Sequence, residues 1–524
     1  MKNLIILIII ACYFKNGIAQ NKSGYTSIFG GGGVFAKFSG DTSRPITGQL
    51  YSNNIEYATT NAVSNICDSA TGKLLFVCNG ARIWDTLGNI IENGDSLIPP
   101  KLYTQNTPPV GLTTQCSLIL PKGSNGQYYV FIVGVSDSTY NNVWSGNVKT
   151  PADLLLYNVV DMNANAGMGK VMQKNVPLIA NTEIARVGMM ACRHANGYDW
   201  WLLKQGFDTN MIHTFLVTKD TIELKYIQGF SEPRFGLYDA FGQSCFSNDG
   251  SKYAFATGGV NSDGDKLFMA DFDRCTGLLS NPKSLHAPLH TSNTILDSLF
   301  PGDKDTSIIG LAFSPNDKFL YVSKTYNIYQ FELNEPDSSL AWYHVQHGPD
   351  TVLQYSGKYG HLSNGIDKRI YIGKQAGGGN QNSVIDFPDL KGGACGFCKK
   401  CLRMDTTQWG TWSLANMPDF NLGPLLPCWP LGSSEIGDKR LETLEVYPNP
   451  SSTYIDVNYE IRDNRNATIE MYNAIGQQVY SSQLSYLRSH ISIDVRHLAK
   501  GVYYLRCLPV GQSGENEVKK VIIE

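Results

Sequence analysis

The chain has 524 residues, of which 17% are charged and 42% hydrophobic, and its formal net charge is −3. That length suggests two or more domains at roughly 100–200 residues each. The sparse, nearly balanced charge argues against a nucleic-acid binder, which would carry a basic patch or stripe. At the amino terminus, Lys2 precedes the apolar run Leu4 to Ile10, and Gly17-Ile18-Ala19 follows before Gln20. Small residues at the first and third positions of that triplet place a signal-peptidase cut between Ala19 and Gln20, making 1–19 a signal peptide. The apolar run is shorter than the roughly 20 residues a membrane-spanning helix needs. A lipoprotein signal at Cys12 is the alternative, because Ile9-Ile10-Ala11-Cys12 loosely resembles a lipobox. No later stretch is long and apolar enough to span a bilayer, so the mature protein is expected to be soluble and monomeric.

From residue 67 to 374 one pattern recurs: a polar turn with Asn, Asp or Gly, then a short strand of Tyr, Phe, Leu, Ile and Val. The copies are CDSATGKLLFVCNG (67–80), KGSNGQYYVFIVG (122–134), RHANGYDWWLLKQG (193–206), FSNDGSKYAFATG (246–258), FSPNDKFLYVS (313–323) and LSNGIDKRIYIGK (362–374). Marked at Lys73, Gln127, Tyr198, Lys252, Lys318 and Lys368, they lie 54, 71, 54, 66 and 50 residues apart. A period in the fifties suits four-stranded blades with generous loops, whereas sandwich domains would need about 100 residues each. The turns hold residues that accept positive φ, and strands such as Phe319-Leu320-Tyr321-Val322 are apolar on both faces, so both faces must be covered. The expected fold is all-β: a β-propeller over 20–425, of about seven blades with six to eight fitting the pattern. A seventh blade would join strands between Tyr25 and Phe38 to the 384–420 segment. A Pro-rich linker (426–443) and a small β-sandwich (444–524), with alternating runs such as Thr468–Tyr472 and Ile491–Val495, complete the chain.

Two resemblances accompany these patterns. FSPNDKFLYVS with NIYQFEL (327–333), GKLLFVCNGARIWDTLGN (72–89), LYNVVDMNANAGMGKV (156–171), DFDRCTGLLSN (271–281) and VIDFPDLKGGAC (384–395) with MPDF (417–420) resemble the WD40-like propellers of secreted Bacteroidetes proteins. VYPNP (446–450), ATIEMYNAIGQQVY (467–480), HLAKGVYYLRC (497–507) and EVKKVIIE (517–524) resemble the type A sorting domain of the type IX secretion system. The motif positions are Tyr447, Pro448, Asn449, Pro450, Gly476, Gly501, Tyr503 and Lys520. This resemblance implies that the secretion machinery is a partner, that the tail is removed, and that the product is released or attached to the cell surface. Propellers of this family have many roles, so the resemblance leaves the ligand open.

In an exported protein the cysteines are expected to be largely oxidised. Cys67 and Cys78 flank a hairpin turn and are candidates to pair across it. Cys395, Cys398 and Cys401, with Cys428 downstream, suggest local disulfides stapling the linker to the propeller. The alternative is a zinc site, of which Cys-x2-Cys is half. A ferredoxin run fails because position 405 is Asp. The odd number of cysteines left after signal removal implies a free thiol, with Cys507 in the tail core as the candidate. His286 with His290 and His344 with His347 sit in or beside loops and lack the His-Glu-x-x-His context. Asp161-x-Asn163-x-Asn165 begins like a calcium loop, but Ala166 and Met172 occupy the positions that need Gly and Glu. Asn261 to Asp265 likewise reads as a hairpin turn. Gly30–Gly33 lacks the Gly-Lys-Ser/Thr of a phosphate loop, and Gly377–Gly379 reads as a flexible loop. Of Trp200 and Trp201, one is expected in the core and one lining a surface. No Gly-x-Ser-x-Gly elbow is present. No catalytic, metal or cofactor residues are therefore assigned. The expected function is binding of an extracellular protein or glycan. The alternative is a glycan lyase or hydrolase with carboxylates at the channel mouth, a pair whose spacing is set only in space.

Overall fold

In the computed structural model the chain divides into two compact units, one running from the amino terminus to Gly423 and the other formed mainly by Pro424–Glu524. The structure describes residues 26–29, 34–37, 63–425 and 441–524, apart from 106–108, 124, 145–150, 232–240, 259–265, 287–307, 338–339, 347–358, 375–380, 404–414, 462–466, 475, 485–487 and 510–517. The candidate cleavage site at Ala19 and Gln20, Cys12, Cys428, His290, His347, the linker to residue 440 and the two Gly runs lie outside the described residues, as does the 261–265 turn.

The first unit is a β-propeller. Among the described residues it has six blade sheets, each an antiparallel meander in sequence order. Blade 1 comprises Ser64–Cys67, Leu74–Cys78 and Ile83–Trp84, and blade 2 comprises Ser117–Pro121, Gln127–Gly134, Ala152–Asp161 and Lys170–Ile184. Blade 3 is Met190–Arg193, Trp200–Gln205, Met211–Val217 and Ile222–Gly229, and blade 4 is Phe241–Phe246, Lys252–Gly258, Lys266–Phe272 and Leu279–Leu285. Blade 5 is Ile308–Phe313, Phe319–Lys324, Ile328–Glu332 and Trp342–Gln346, and blade 6 is Tyr359–Asn364, Ile370–Lys374, Gln381–Ile385 and Phe397–Arg403.

Each of the six sequence repeats is the turn leading into the second strand of one blade. Of the seventh blade expected from both chain ends, the amino-terminal strands are described, as a two-stranded sheet beside the first strand of blade 1. Gln381–Ile385 and Phe397–Arg403 instead complete blade 6, because a short connection lets them pair locally. Thr26–Phe29 and Val34–Lys37 pair with each other.

The apolar strands are covered on both faces, as their composition requires. Packing occurs at the seams between blades. Trp200, Leu202 and Phe215 of blade 3 join the cluster of blades 1 and 2. Trp201 and Leu203 face Tyr253, Phe255 and Phe268 of blade 4. Leu267 and Met269 meet Leu311, Leu320 and Val322 of blade 5, and Phe319 and Tyr321 meet Ile370 and Ile372 of blade 6. Both tryptophans are therefore buried, at 1% and 3% exposure; neither lines a surface, because the second strand of a blade is sandwiched between neighbouring sheets. Fourth strands are the wet edges. Ile222–Gly229 (IELKYIQG) is mostly exposed and carries Glu and Lys, a composition that discourages pairing with another chain.

The second unit has two antiparallel sheets, Leu441–Tyr447, Tyr454–Ile461 and Arg488–Asp494 in one, and Gln478–Leu484, Ala467–Asn473, Gly501–Pro509 and Val518–Ile523 in the other. Ile455, Val457, Ile469, Met471, Ile493, Tyr503, Leu505, Val521 and Ile523 form their shared core. Alternation puts those side chains inside and Glu470, Tyr472 and Arg506 on the other face, where the guanidinium donates to the Glu470 carboxylate (2.8 Å) and the Tyr472 hydroxyl (2.7 Å).

Candidate functional site

The first strand of each blade is innermost, and the centre is tied by side-chain amides. Gln115, just before the first strand of blade 2, accepts from the Ser244 amide (2.8 Å) and donates to its carbonyl (2.9 Å) in blade 4. Gln243 accepts from the amides of Leu311 in blade 5 and Leu362 in blade 6, both at 3.0 Å. Gly310 permits this approach. A Cβ there would stand 2.7 Å from the Leu362 nitrogen and 2.8 Å from the Gly360 carbonyl oxygen, so a side chain would push the innermost strands apart.

A segment beyond the last blade, residues 415–423, runs over these strands. Asn416 donates its backbone amide to Val63 (2.7 Å) and its side-chain amide to the carbonyls of Ser117 (3.0 Å) and Met189 (3.1 Å). Its side-chain oxygen accepts from Gln115 at 3.2 Å. The side chain thus joins blades 2 and 3 and the amide tie to blade 4, while the backbone of the same residue holds the chain leading into blade 1. Phe420 stacks edge-on to Trp200 at 5.7 Å, and the Gly423 carbonyl accepts from Arg274 at 2.7 Å.

Where this segment crosses the axis lies a cavity of about 390 Å³, walled by the inner strands of blades 3 to 6. Its polar lining is mostly amide and hydroxyl, including Ser247, Asn248, Ser363, Asn364 and Asn421, with Phe246, Tyr371 and Phe420 as ring surfaces. Among the described residues the lining carries one carboxylate, Asp419, one imidazole, His361, and one ammonium group, Lys368. His361 is engaged through Nε2 with the Gly242 carbonyl at 2.9 Å. Asp419 is reached by solvent, yet protein crowds it. That loss of surrounding water raises its pKa, against hydrogen bonding from the Asn421 amide and the attraction of Arg193 and Arg274. Among the described residues no group of three or more His, Cys, Asp or Glu is placed to hold a metal ion.

The rim is built by the repeat turns themselves. The Asp317 carboxylate of blade 5 accepts from the amides of Asn248 (2.8 Å) and Asp249 (3.0 Å) and from the Asn248 side chain (2.8 Å) in blade 4. Asn364 of blade 6 donates to Asn248 (3.2 Å) and to the Phe313 carbonyl (3.1 Å). The turn residues therefore link blade to blade as well as strand to strand. Sequence reasoning assigned them only the hairpin role, although their recurrence was visible.

The other candidates fall elsewhere. Cys67 pairs with Leu74 and Cys78 with Ser64, so the expected Cys67–Cys78 disulfide is not formed. Cys78 lies opposite Ser64 at the far end of the hairpin while Cys67 sits next to the turn, so the two sulfurs do not stand opposite each other and both remain thiols. Burial pushes the thiols of Cys78 and Cys192 up to about 12 and that of Cys116 up to about 11, which makes them inert at neutral pH. Cys398 and Cys401 are joined to each other, while Cys395 is a separate buried thiol. The metal alternative therefore loses two of its ligands. Cys275, which the sequence did not single out, is also disulfide-bonded. The Cys507 side chain lies outside the described residues. His286 is exposed, and His344 bonds Asn327 at 2.9 Å. Asp161 accepts from Gln127 (2.9 Å) and the Asn163 amide (2.9 Å), forming a self-capped turn.

In the tail, Asn449 donates to the Lys520 carbonyl (2.7 Å) and accepts from the Ile522 amide (2.8 Å). Ser451 continues that ladder with the Ile522 carbonyl and the Glu524 amide, both at 2.9 Å. The Tyr447-Pro448-Asn449-Pro450 motif thus leads the chain along the edge of the last strand, whose Lys520 side chain is exposed. Gly476, at φ 81°, makes the turn after Asn473, and Gly501 opens the strand that carries Tyr503 into the core. The Tyr503 hydroxyl donates to the Ala499 carbonyl at 2.7 Å. Replacing Asn449 by Ala should speed exchange of the Ile522 amide about tenfold, the equivalent of about 1.4 kcal/mol for one edge hydrogen bond. Hydrogen-exchange mass spectrometry of the full chain reads this directly, and unchanged protection would remove the clamp role.

Six blade sheets among the described residues, a cavity between them, and a two-sheet sandwich in the second unit define a β-propeller protein carrying an appended sandwich domain. Residues 445–524 match the family described as "Secretion system C-terminal sorting domain". This is a type IX secretion address of Bacteroidetes, and the chain is exported to the cell surface or beyond it. Among the described residues no helix is long and apolar enough to cross a membrane. No curated protein matches the chain. Solved structures similar to it include a 6-phosphogluconolactonase candidate from Bacteroides fragilis NCTC 9343, at 12% identity and TM-score 0.39 over 76% of this chain and 97% of that one. A second such candidate, from Bacteroides uniformis ATCC 8492, aligns at 12% identity and TM-score 0.38 over 74% and 98%. Hydrazine synthase from Kuenenia stuttgartiensis aligns at 10% identity and TM-score 0.34 over 71% and 79%.

Proposed function

We propose that this protein is a non-catalytic, monomeric extracellular scaffold, a WD40-like propeller over 20–425 that binds a protein or glycan at its channel-end cavity. The 1–19 leader and the 444–524 tail are its export signals, separated from the binding unit by the 426–443 linker. The observation that carries the reading is the cavity lining. Among the described residues it sets the amides and hydroxyls of Ser247, Asn248, Ser363 and Asn421 in a wall that is otherwise largely apolar, with Leu311, Phe313, Leu362 and Met417, and it carries a single carboxylate where an acid–base hydrolase or lyase would need a converging set. Such a lining offers paired donors and acceptors to sugar hydroxyls or to a peptide backbone.

The test is a glycan and surface-protein binding array with the purified protein, followed by Asp419→Asn. The variant keeps the shape but removes the charge, and should weaken a ligand held by that carboxylate about tenfold or more. Because the Asp419 pKa is raised, binding that needs the carboxylate should fade with falling pH sooner than an ordinary aspartate would allow. Turnover of any array glycan would replace the scaffold reading by the enzyme one.

A further inference from the structure

Cys398 and Cys401 lie on the fourth strand of blade 6, the outer edge of that sheet. The register there is uneven. Cys398 stands opposite Val384 and Leu402 opposite Asn382, so Ser383 alone faces residues 399–401. Three residues against one make a bulge, and the disulfide links the paired residue just before that bulge to its last residue, with Cα atoms 5.7 Å apart. At the crest, Lys400 adopts φ 57°, a left-handed conformation uncommon for a residue with a side chain. Its amide donates to the Ser383 hydroxyl at 3.1 Å. Cys401 is exposed and Cys398 half-buried, in contrast to the buried thiols of Cys78, Cys116, Cys192 and Cys395. The two residues enclosed by the bond are both lysines.

We propose that Cys398–Cys401 is a thiol-exchangeable clasp, opened by a dithiol reductant while the propeller stays folded. A thiolate of the reductant attacks the exposed Cys401 sulfur, the S–S bond breaks, and Cys398 leaves as a thiolate. The second thiolate of the reductant then attacks its own mixed-disulfide sulfur and releases the Cys401 thiolate. The protein disulfide has gained two electrons, and the reductant has become a cyclic disulfide. The protons lost by the dithiol are returned to the two cysteines. Lys399 and Lys400 favour this chemistry, because positive charge beside a departing thiolate makes it a better leaving group. The location favours it as well. An edge strand can relax its bulge without breaking any ladder inside the sheet, and the three inner strands of the blade keep their pairing. A structural staple buried between blades could not be opened without unfolding its surroundings.

The test treats the folded, full-length protein with graded dithiothreitol, quenches with iodoacetamide and locates the labels by mass spectrometry. Circular dichroism is recorded in parallel. The expected result is double labelling of the 398–401 peptide at concentrations that leave Cys275 oxidised and the spectrum unchanged. Labelling that appears only with loss of the folded spectrum, or only together with Cys275, overturns the proposal. Replacing both lysines (K399E/K400E) should slow reduction about tenfold. An unchanged rate in that variant removes the role given to the lysines, even if the clasp itself opens.

Discussion

Deleting residues 444–524 is expected to abolish export across the outer membrane and leave the remaining chain in the periplasm. The effect should be close to complete, because the deletion removes the whole segment that matches the sorting family. The physical basis for reading the result cleanly is that the tail owns its core. Ile455, Ile469, Met471, Leu505 and Val521 pack on one another within the two sheets of the sandwich. The propeller's apolar residues are satisfied at their own blade seams. Truncation should therefore leave the propeller folded, and a protease-resistant fragment of about 420 residues should accumulate in periplasmic extracts. Surface labelling of whole cells provides the check. A truncated chain that still reaches the surface would sink the sorting assignment, whereas one that vanishes from every fraction would mean that the propeller depends on the tail for stability.

The second large effect is expected at Asn416. Its side chain donates to two carbonyls in two blades and accepts from Gln115, while its backbone reaches a third blade. The residue is only 6% exposed. Asn416→Leu keeps the volume but leaves the carbonyls of Ser117 and Met189 and the Gln115 amide short of partners in a site largely closed to water. Unsatisfied buried polar groups cost about 1–3 kcal/mol each. Partial rearrangement of Gln115 lowers the sum, so a loss of about 3 kcal/mol is expected, read as a lower midpoint in urea unfolding of the propeller. A neighbouring control, Asn421→Ala, removes an exposed side chain and should change stability by less than about 0.5 kcal/mol. Equal effects at the two positions would mean that the 415–423 segment rests on the propeller without pinning it.

The fold class was legible in the sequence because it rests on local signals. A strand that is apolar on both faces must be covered on both, and the residues that tolerate positive φ mark where the chain turns. Six such units recur, and the structure builds one blade sheet on each. The tail was legible for a similar reason: alternating runs, a turn glycine at 476 and a linear motif around Asn449.

What could not be read was everything that depends on register and on distant parts of the chain meeting. Cys67 and Cys78 flank a turn and so invited a pairing, but the hairpin sets Ser64, three residues before Cys67, opposite Cys78. Trp200 and Trp201 are neighbours in a strand and so point to opposite faces. Only the stacking of blades on both sides shows that each face is buried. The cavity is more remote still from the sequence. Its walls come from Gln115, Gln243, His361 and Asp419, which lie up to about 300 residues apart, and no local pattern relates them. The amino-acid sequence by itself determined the repeating β architecture and the export address, because turn chemistry and hydrophobic period act over a few residues. Only the tertiary structure decided the thiol pairing and the composition of the binding cavity, because those follow from how separately patterned sheets pack against one another.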